Sequence, residues 1–338
     1  IQYNFFFTNF EAVKNGFMRV EIYTTGSNIP ELMDGDPRHS AWMFRLIEQH
    51  SSATPFMVVA FDRDKEAGHL LAIRFRDLRI LPPGYYVWYS IHGEGVIAEN
   101  HNKEEVFAAL LDKLFTLFDI HHTFIEVRNL KDARFAYGRL SDRLFFPRRD
   151  IRTYLSLLSI SPEKRVTRSY KTLIRKAEKR GVTYGRAQNE SETIEALHIL
   201  RRHYINKVRR HLPPIGFLHA LVVNNKNSAA LFVVRYKGKI IGCSICLYDK
   251  ERAYMAYSCG LRLSYRNEYP GIIAVWAAIK DAHQQGYSHF EFLEAKNAKA
   301  GSGYLNFILN FGGKQTGVLR WYHFKWRWIN KIMRSIYV

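Results

Sequence analysis

Residues 231–261 read LFVVRYKGKIIGCSICLYDKERAYMAYSCGL. Leu231 to Tyr236, Ile240 to Tyr248 and Ala253 to Leu261 are apolar and aromatic runs, separated by the polar segments Lys237-Gly238-Lys239 and Asp249 to Arg252. Runs of this length between turn residues are strands, and connections this short join antiparallel neighbours. The stretch therefore predicts a three-stranded meander. Pro270 opens the next segment; it suits a helix's first turn, where its missing N–H has no intrahelical partner. Ile272, Val275, Trp276 and Ile279 share one face of that helix, which stops at Gly286. A strand at His289 to Leu293 follows, then a short helix over Tyr304 to Asn310 closed by Phe311-Gly312-Gly313, and a last strand at Gly317 to Phe324.

The first half repeats this order less sharply. Phe56 to Phe61, His69 to Phe75 and Tyr85 to Ile91 read as strands, with turns at Asp62 to Gly68 and Pro82-Pro83-Gly84. Lys103 to Phe118 carries Val106, Leu110, Leu111, Leu114 and Phe118 at amphipathic-helix spacing, and a strand follows at Thr123 to Val127. The fold class predicted is α+β, with mixed, mostly antiparallel sheets covered by helices. Two halves of this kind are expected to pack on each other across a cleft.

With 338 residues the chain has room for about two domains. Its 47% hydrophobic and 24% charged residues exclude a disordered or fibrous protein. Lys and Arg outnumber Asp and Glu by 50 to 31, a net charge of +19, so the surface attracts anions such as nucleic acid, nucleotide cofactors, acidic carrier proteins or anionic membrane. Three cysteines cannot build a disulfide framework in a chain this long, which places it in a reducing compartment, the cytoplasm. Cys243 and Cys246 form a C-x-x-C inside a strand, where residues three apart face opposite sides, so metal or redox use of the pair is not expected. No run reaches the ~18 apolar residues of a membrane span. Ile1 to Phe10 lacks the features of a signal peptide, and the absence of an initial Met suggests that a segment has been removed. His121-His122 belong to no metal-binding pattern, and there is no G-x-x-x-x-G-K-[ST] loop, so neither a metal site nor ATP hydrolysis is expected.

Tyr170 to Val182 (YKTLIRKAEKRGV), Lys237 to Gly242 (KGKIIG), the helix into Gly286-Tyr287, Phe290 to Glu294 (FEFLE) and Phe311-Gly312 occur in an order that resembles the FemABX-like peptidyltransferases over most of residues 120–320. The resemblance implies two GNAT folds in tandem. One would occupy 1–160 and the other 184–319, with a basic connecting helix at 161–183 and a final segment, 320–338, packing back on the first half. It also implies an N-acyltransferase that moves an acyl or aminoacyl group to an amine by direct attack in the inter-domain cleft. The co-substrate would be acyl-CoA, an acyl-carrier protein or aminoacyl-tRNA, and the acceptor a cell-wall precursor or lipid amine, in the cytoplasm or at the inner membrane surface. Two segments depart from the family. Ile308 stands where F-K-x-x-F-G would place a carbonyl-polarising lysine, and Arg266 to Gly271 keeps only the ends of the pyrophosphate-binding R/Q-x-x-G-x-G/A loop, with Pro270 supplying no N–H. They motivate the alternative of a non-catalytic GNAT-fold protein that binds a nucleotide-linked ligand or RNA.

Amide formation from an activated acyl donor needs a neutral amine, a donor for the developing oxyanion and a proton for the leaving group. The GNAT layout puts these where the fourth and fifth strands splay, which here means Tyr257, Ser258, Cys259 and Glu294. Glu294 is a candidate base; the plain alternative is a solvated strand-end carboxylate or a partner for Lys296. Tyr257 and Tyr304 are candidate proton donors, against the packing role most of 20 tyrosines have. Cys259 as a covalent nucleophile would need a base that no sequence-local His supplies. Glu99, after Gly93-Glu94-Gly95-Val96, loosely matches an acidic acceptor-facing position. For the donor's phosphates the candidates are Arg266, Asn267 and Gly271 together with Arg168, Lys171, Arg175 and Lys179, which form a basic stripe on a helix expected over Pro162 to Arg180, with Val166, Leu173 and Ala177 facing the protein. Such a stripe is equally often a solvated face. Arg201, Arg202, Lys207, Arg209 and Arg210 read as a second basic edge of the cleft. Trp321 to Val338 mixes aromatic and basic residues, a pattern suited to peripheral membrane contact or nucleotide stacking; a strand and helix packing back on the first half is the reading favoured here.

Overall fold

The computed structural model describes residues 18–77, 86–118, 123–129, 132–208, 212–293 and 303–337. In the first half, β1 (Arg19–Tyr23), α1 (Ala41–His50), β2 (Thr54–Asp62), β3 (Lys65–Asp77), β4 (Tyr86–His92), β5 (Val96–Ile97), α2 (Lys103–Phe115), β6 (Phe124–Arg128), α3 (Tyr137–Asp142) and β7 (Phe146–Ser156) follow one another. Then come α4 (Pro162–Arg165), α5 (Arg168–Lys179), β8 (Thr183–Arg186), α6 (Glu190–His203), α7 (Ile215–Asn224), β9 (Ala229–Tyr236), β10 (Lys239–Tyr248), β11 (Arg252–Gly260), α8 (Pro270–Gln284), β12 (His289–Phe292), α9 (Gly303–Leu309), β13 (Lys314–Phe324) and α10 (Arg327–Tyr337). The meander β9-β10-β11 stands where the opening stretch predicted it.

The strands form one sheet in the order β1-β2-β3-β4-β6-β13-β7-β12-β11-β10-β9-β8, with β5 on β3. Its centre is an exchange. β13, last in the chain, pairs with β6 of the first half, and β7, last strand of the first half, pairs with β12 of the second. Between them β7 and β13 run antiparallel, and their register turns about the pair Asp150↔Val318, so that Tyr154↔Lys314 has its counterpart in Tyr322↔Phe146.

Side chains repeat the same symmetry. Glu126 on β6 accepts from Arg128 (2.8 Å) and from the Tyr322 hydroxyl (3.2 Å), and pairs with Arg320 of β13 (3.2 Å), which also reaches Asp150 (3.0 Å). Glu291 on β12 accepts a two-pronged bond from Arg152 of β7 (both 2.7 Å) and a third from Arg252 of β11 (2.7 Å). Both carboxylates are buried. Burial works to raise the Glu126 carboxyl, but Arg128 and Arg320 outweigh it and hold the group below the usual carboxylate range. A ladder of alternating charge thus links five strands at the seam of the two halves.

Three apolar clusters flank the sheet. One packs α2 on β2, β3 and β6, one packs α5, α8 and α9 on the second half, and the third joins Met43, Phe44, Met57 and Val59 of the first half to Leu197, Leu200, Val233 and Ile245 of the second. The single helix expected over Pro162 to Arg180 is two helices. Val166 is buried with extended backbone between them, and the Thr167 N–H and hydroxyl both donate to Asn310 (3.0 Å each), so the end of α9 fixes the break. Ile174, rather than the expected Leu173, is buried beside Ala177 and Val166, because the restart at Arg168 rotates the inward face. Cys243 and Cys246 lie in different clusters on opposite faces of the sheet.

Candidate active site

β11 and β12 are parallel neighbours from Arg252↔His289 to Met255↔Phe292, and there the pairing ends. Among the described residues β11 runs on to Gly260 paired with β10, with Cys259 opposite Cys243. Its departure is built in by a bulge, since Ile245 faces Tyr257 and Cys246 faces Met255, leaving Ala256 as the extra residue that bends the strand. In the first half the matching pair stays closed. β4 and β6 pair through His92↔Arg128, and the Gly93 N–H then donates to the Arg128 carbonyl (2.9 Å). Among the described residues, the sheet parts at this position in the second half alone.

Tyr257, at the parting, is half-buried with its ring edge-on to Tyr204 (centroids 5.7 Å, 80°). Ser258 lies opposite Ser244, whose hydroxyl donates to the Ala274 carbonyl of α8 (2.8 Å). Cys259 is buried with its Sγ 3.4 Å from that of Cys243; this contact and burial push the Cys243 thiol up. The neighbour of Cys259 is thus a second thiol rather than a base.

α8 starts immediately beside the strand end. Tyr269, its cap, has left-handed backbone (φ 48°), and Pro270 occupies the first turn. Gly260 presses on the backbone of Gly271, so that amide faces β11. In the loop before α8, Arg266 and Asn267 are exposed. Arg180, at the end of α5, donates to the Asn267 carbonyl, and Arg262 acts on the Tyr170 hydroxyl of α5, where it opposes the upward shift caused by burial. Arg168, Arg175 and Lys179 are exposed on α5 and Lys171 is half-buried. α5 is thus tied to the pre-α8 loop through Arg180 and Tyr170, and the basic stripe lies on that same helix.

Other candidates are not gathered there. Tyr304 is half-buried on α9, stacked on Phe307 (6.2 Å, 19°) in the α5–α8–α9 cluster, on the opposite face of the sheet from Tyr257. Glu99 is exposed between β5 and α2 in the first half. Glu294, with Lys296, Arg209, Arg210 and His121-His122, lies outside the described residues. Ile308 is fully buried in the core, where it can only pack.

An open groove of about 610 Å³ borders the end of β11. His198, Arg201, Arg202 and Asn206 line it from α6 and the turn that follows, Lys239 from β10, and Tyr265 from the pre-α8 loop. Every described wall comes from the second half. A cavity of about 590 Å³ with walls from both halves, including Asp36, His69, Ser228 and Asp249, lies instead at the start of β11, the end away from the parting. The groove beside the end of β11 takes its described walls from the second half, and the cavity between the halves lies at the other end of that strand. Arg201 and Arg202, read from the sequence as a basic edge, line this groove; the turn that follows them was not anticipated. Tyr204–Val208 forms a π-helical turn, a conformation enriched at functional sites, and carries buried Tyr204 against Tyr257. His203 beside it is half-buried, and burial together with Lys207 lowers its pKa, keeping it neutral near pH 7. No residue pattern marks a π turn in advance.

Residues 164–300 match the family model of an acetyltransferase (GNAT) domain. FemX superposes with a TM-score of 0.66 at 12% identity, covering 89% of this chain and 95% of its own. The chain has a FemABX-like tandem GNAT fold. L-PGS from Bacillus licheniformis gives 0.55 at 10% identity, over 91% and 97% of the two chains. A tandem GNAT protein from the clavulanic acid biosynthesis pathway gives 0.51 at 10%, over 90% and 98%. No curated relative matches the chain in sequence. Among the described residues no group of three or more His, Cys, Asp and Glu side chains could hold a metal ion.

Proposed function

We propose that the protein is an N-acyltransferase that moves an acyl or aminoacyl group from an activated anionic donor to an amine, at the parting of β11 and β12. The observation that supports this reading is the bulge at Ala256, which bends β11 just after the last described pair with β12, Met255↔Phe292, where backbone groups could bind an acyl carbonyl. The amine nitrogen attacks the acyl carbon, the C–N bond forms, and the C–S or C–O bond to the donor breaks. The amine's proton passes to a base, assigned to Glu294, and the leaving sulfur or oxygen takes a proton from Tyr257. The cationic surface of α5 and the pre-α8 loop suits the phosphates of CoA, a phosphopantetheine carrier or tRNA. Attack is direct, since the described neighbour of the Cys259 thiol is a second thiol.

Purified protein offered acyl-CoA, acyl-carrier and aminoacyl-tRNA donors with a panel of amines should give an amide by mass spectrometry with at least one donor. The Tyr257→Phe and Glu294→Gln variants should each lower the rate by about a hundredfold. Full activity in both would remove these residues from the mechanism. The buried Ile308 favours the second reading, a non-catalytic protein that binds a nucleotide-linked ligand or RNA; binding of such a ligand with no turnover of any donor would select it.

A further inference from the structure

α10 buries one side and leaves an apolar row on another. Asn330 is buried, its side chain donating to the Leu144 carbonyl (2.7 Å) and accepting from the Phe324 N–H (3.1 Å), which fixes the side of the helix turned to the protein. Ile329 and Met333 are half-buried next to it. Trp328, Ile332 and Ile336, four residues apart, line up along the outer face and are 65%, 49% and 64% exposed, and Trp326 just before the helix is exposed as well. An aligned row of large apolar side chains pointing away from every core cluster marks an interaction surface.

Its charge selects the partner. Arg327, Lys331 and Arg334 are exposed on the same helix, and the sequence contains no Asp or Glu after Glu294. We propose that α10 docks the protein on an anionic bilayer surface. The helix lies flat, with Trp328, Ile332 and Ile336 at the boundary of the acyl chains and Arg327, Lys331 and Arg334 among the phosphates. A second copy on this face would bring six cations together with no acid to offset them. The proposal is independent of the acyl-transfer reading.

Sedimentation of the full chain with phosphatidylcholine vesicles, with and without phosphatidylglycerol, tests it. Binding should require phosphatidylglycerol. The Trp328→Ala/Ile332→Ala double variant, which leaves net charge unchanged, should bind at least about tenfold more weakly, while Leu158→Ala, at another exposed apolar position, should bind as the parent does. Ile336→Ser is a second variant in the same row and should weaken binding without lowering the melting temperature. Absence of binding at low salt, equal binding by the row variants, or a dimer that these variants abolish would each overturn the proposal.

Discussion

A Cβ added to Gly260 would stand 2.3 Å from the amide nitrogen of Gly271, so the end of β11 and the start of α8 touch backbone to backbone. Any side chain at 260 must move the helix that forms one wall of the proposed donor site. Gly260→Ala should cost about 1–3 kcal/mol in urea unfolding. A Cβ on Gly271 meets nothing within 4 Å, and this residue sits in a helical turn where Ala is favoured, so Gly271→Ala should be neutral or stabilising by up to about 1 kcal/mol. Equal losses in the two variants would refute the asymmetry.

The meander, α8 and β12 were legible because their side chains obey local rules, with apolar runs, short turns and a proline at the helix start. β7 was not. Phe146–Ser156 contains Pro147, Arg148, Arg149, Asp150 and Arg152, a composition that argues against a central strand until the partners of Asp150 and Arg152 on β13 and β12 are known. The exchange of β7 and β13 leaves no local trace, since each strand pairs with residues distant in sequence. At the site, the resemblance alone pointed to the end of β11. The basic edge at Arg201 and Arg202 was legible, but the π turn at Tyr204 that packs on Tyr257 was not, because no local pattern announces one.

The ladder makes a stability prediction. Arg152 supplies two of the three bonds that Glu291 accepts, and both groups are buried. Arg152→Met should therefore destabilise the fold by about 3–5 kcal/mol, because it leaves a buried carboxylate with only the bond from Arg252 among those described. Arg152→Met/Glu291→Met removes both charges and should recover part of that loss, as measured by chemical denaturation. A double variant less stable than the sum of the single ones would contradict this account of the seam.

His39 links the same region to pH. The imidazole is fully buried, donates from Nε2 to the His92 carbonyl (2.6 Å) and accepts from the Leu71 N–H at Nδ1 (2.9 Å), so the neutral form uses both nitrogens. Burial pulls its pKa down to about 4. Above pH ~6.5 the imidazole is neutral in folded and unfolded chains, and its contribution to stability is full. As pH falls from about 6.5 toward 4 the unfolded chain takes up a proton that the folded chain refuses, and about 3 kcal/mol should be lost. His39→Gln should be less stable than the parent at pH 7, and the gap should narrow across this window. A constant gap would show that folding does not lower the pKa of His39.

The last prediction concerns α5. Arg175 and Lys179 are exposed, so they contribute little to the fold, but Arg180 beside them holds the loop that precedes α8. If they contact the donor's phosphates, Arg175→Glu/Lys179→Glu should raise the donor KM by about tenfold or more, because attraction becomes repulsion at each position. kcat should stay near that of the parent, since neither side chain reaches the reacting carbonyl. Added salt should raise the parent's KM toward that of the variant, because exposed charges are screened within roughly 10 Å at 0.1 M salt. A loss confined to kcat would place the reaction against α5 itself. A KM that responds to neither substitution nor salt would leave α5 as a solvated face and move the donor to Arg201 and Arg202 of the groove.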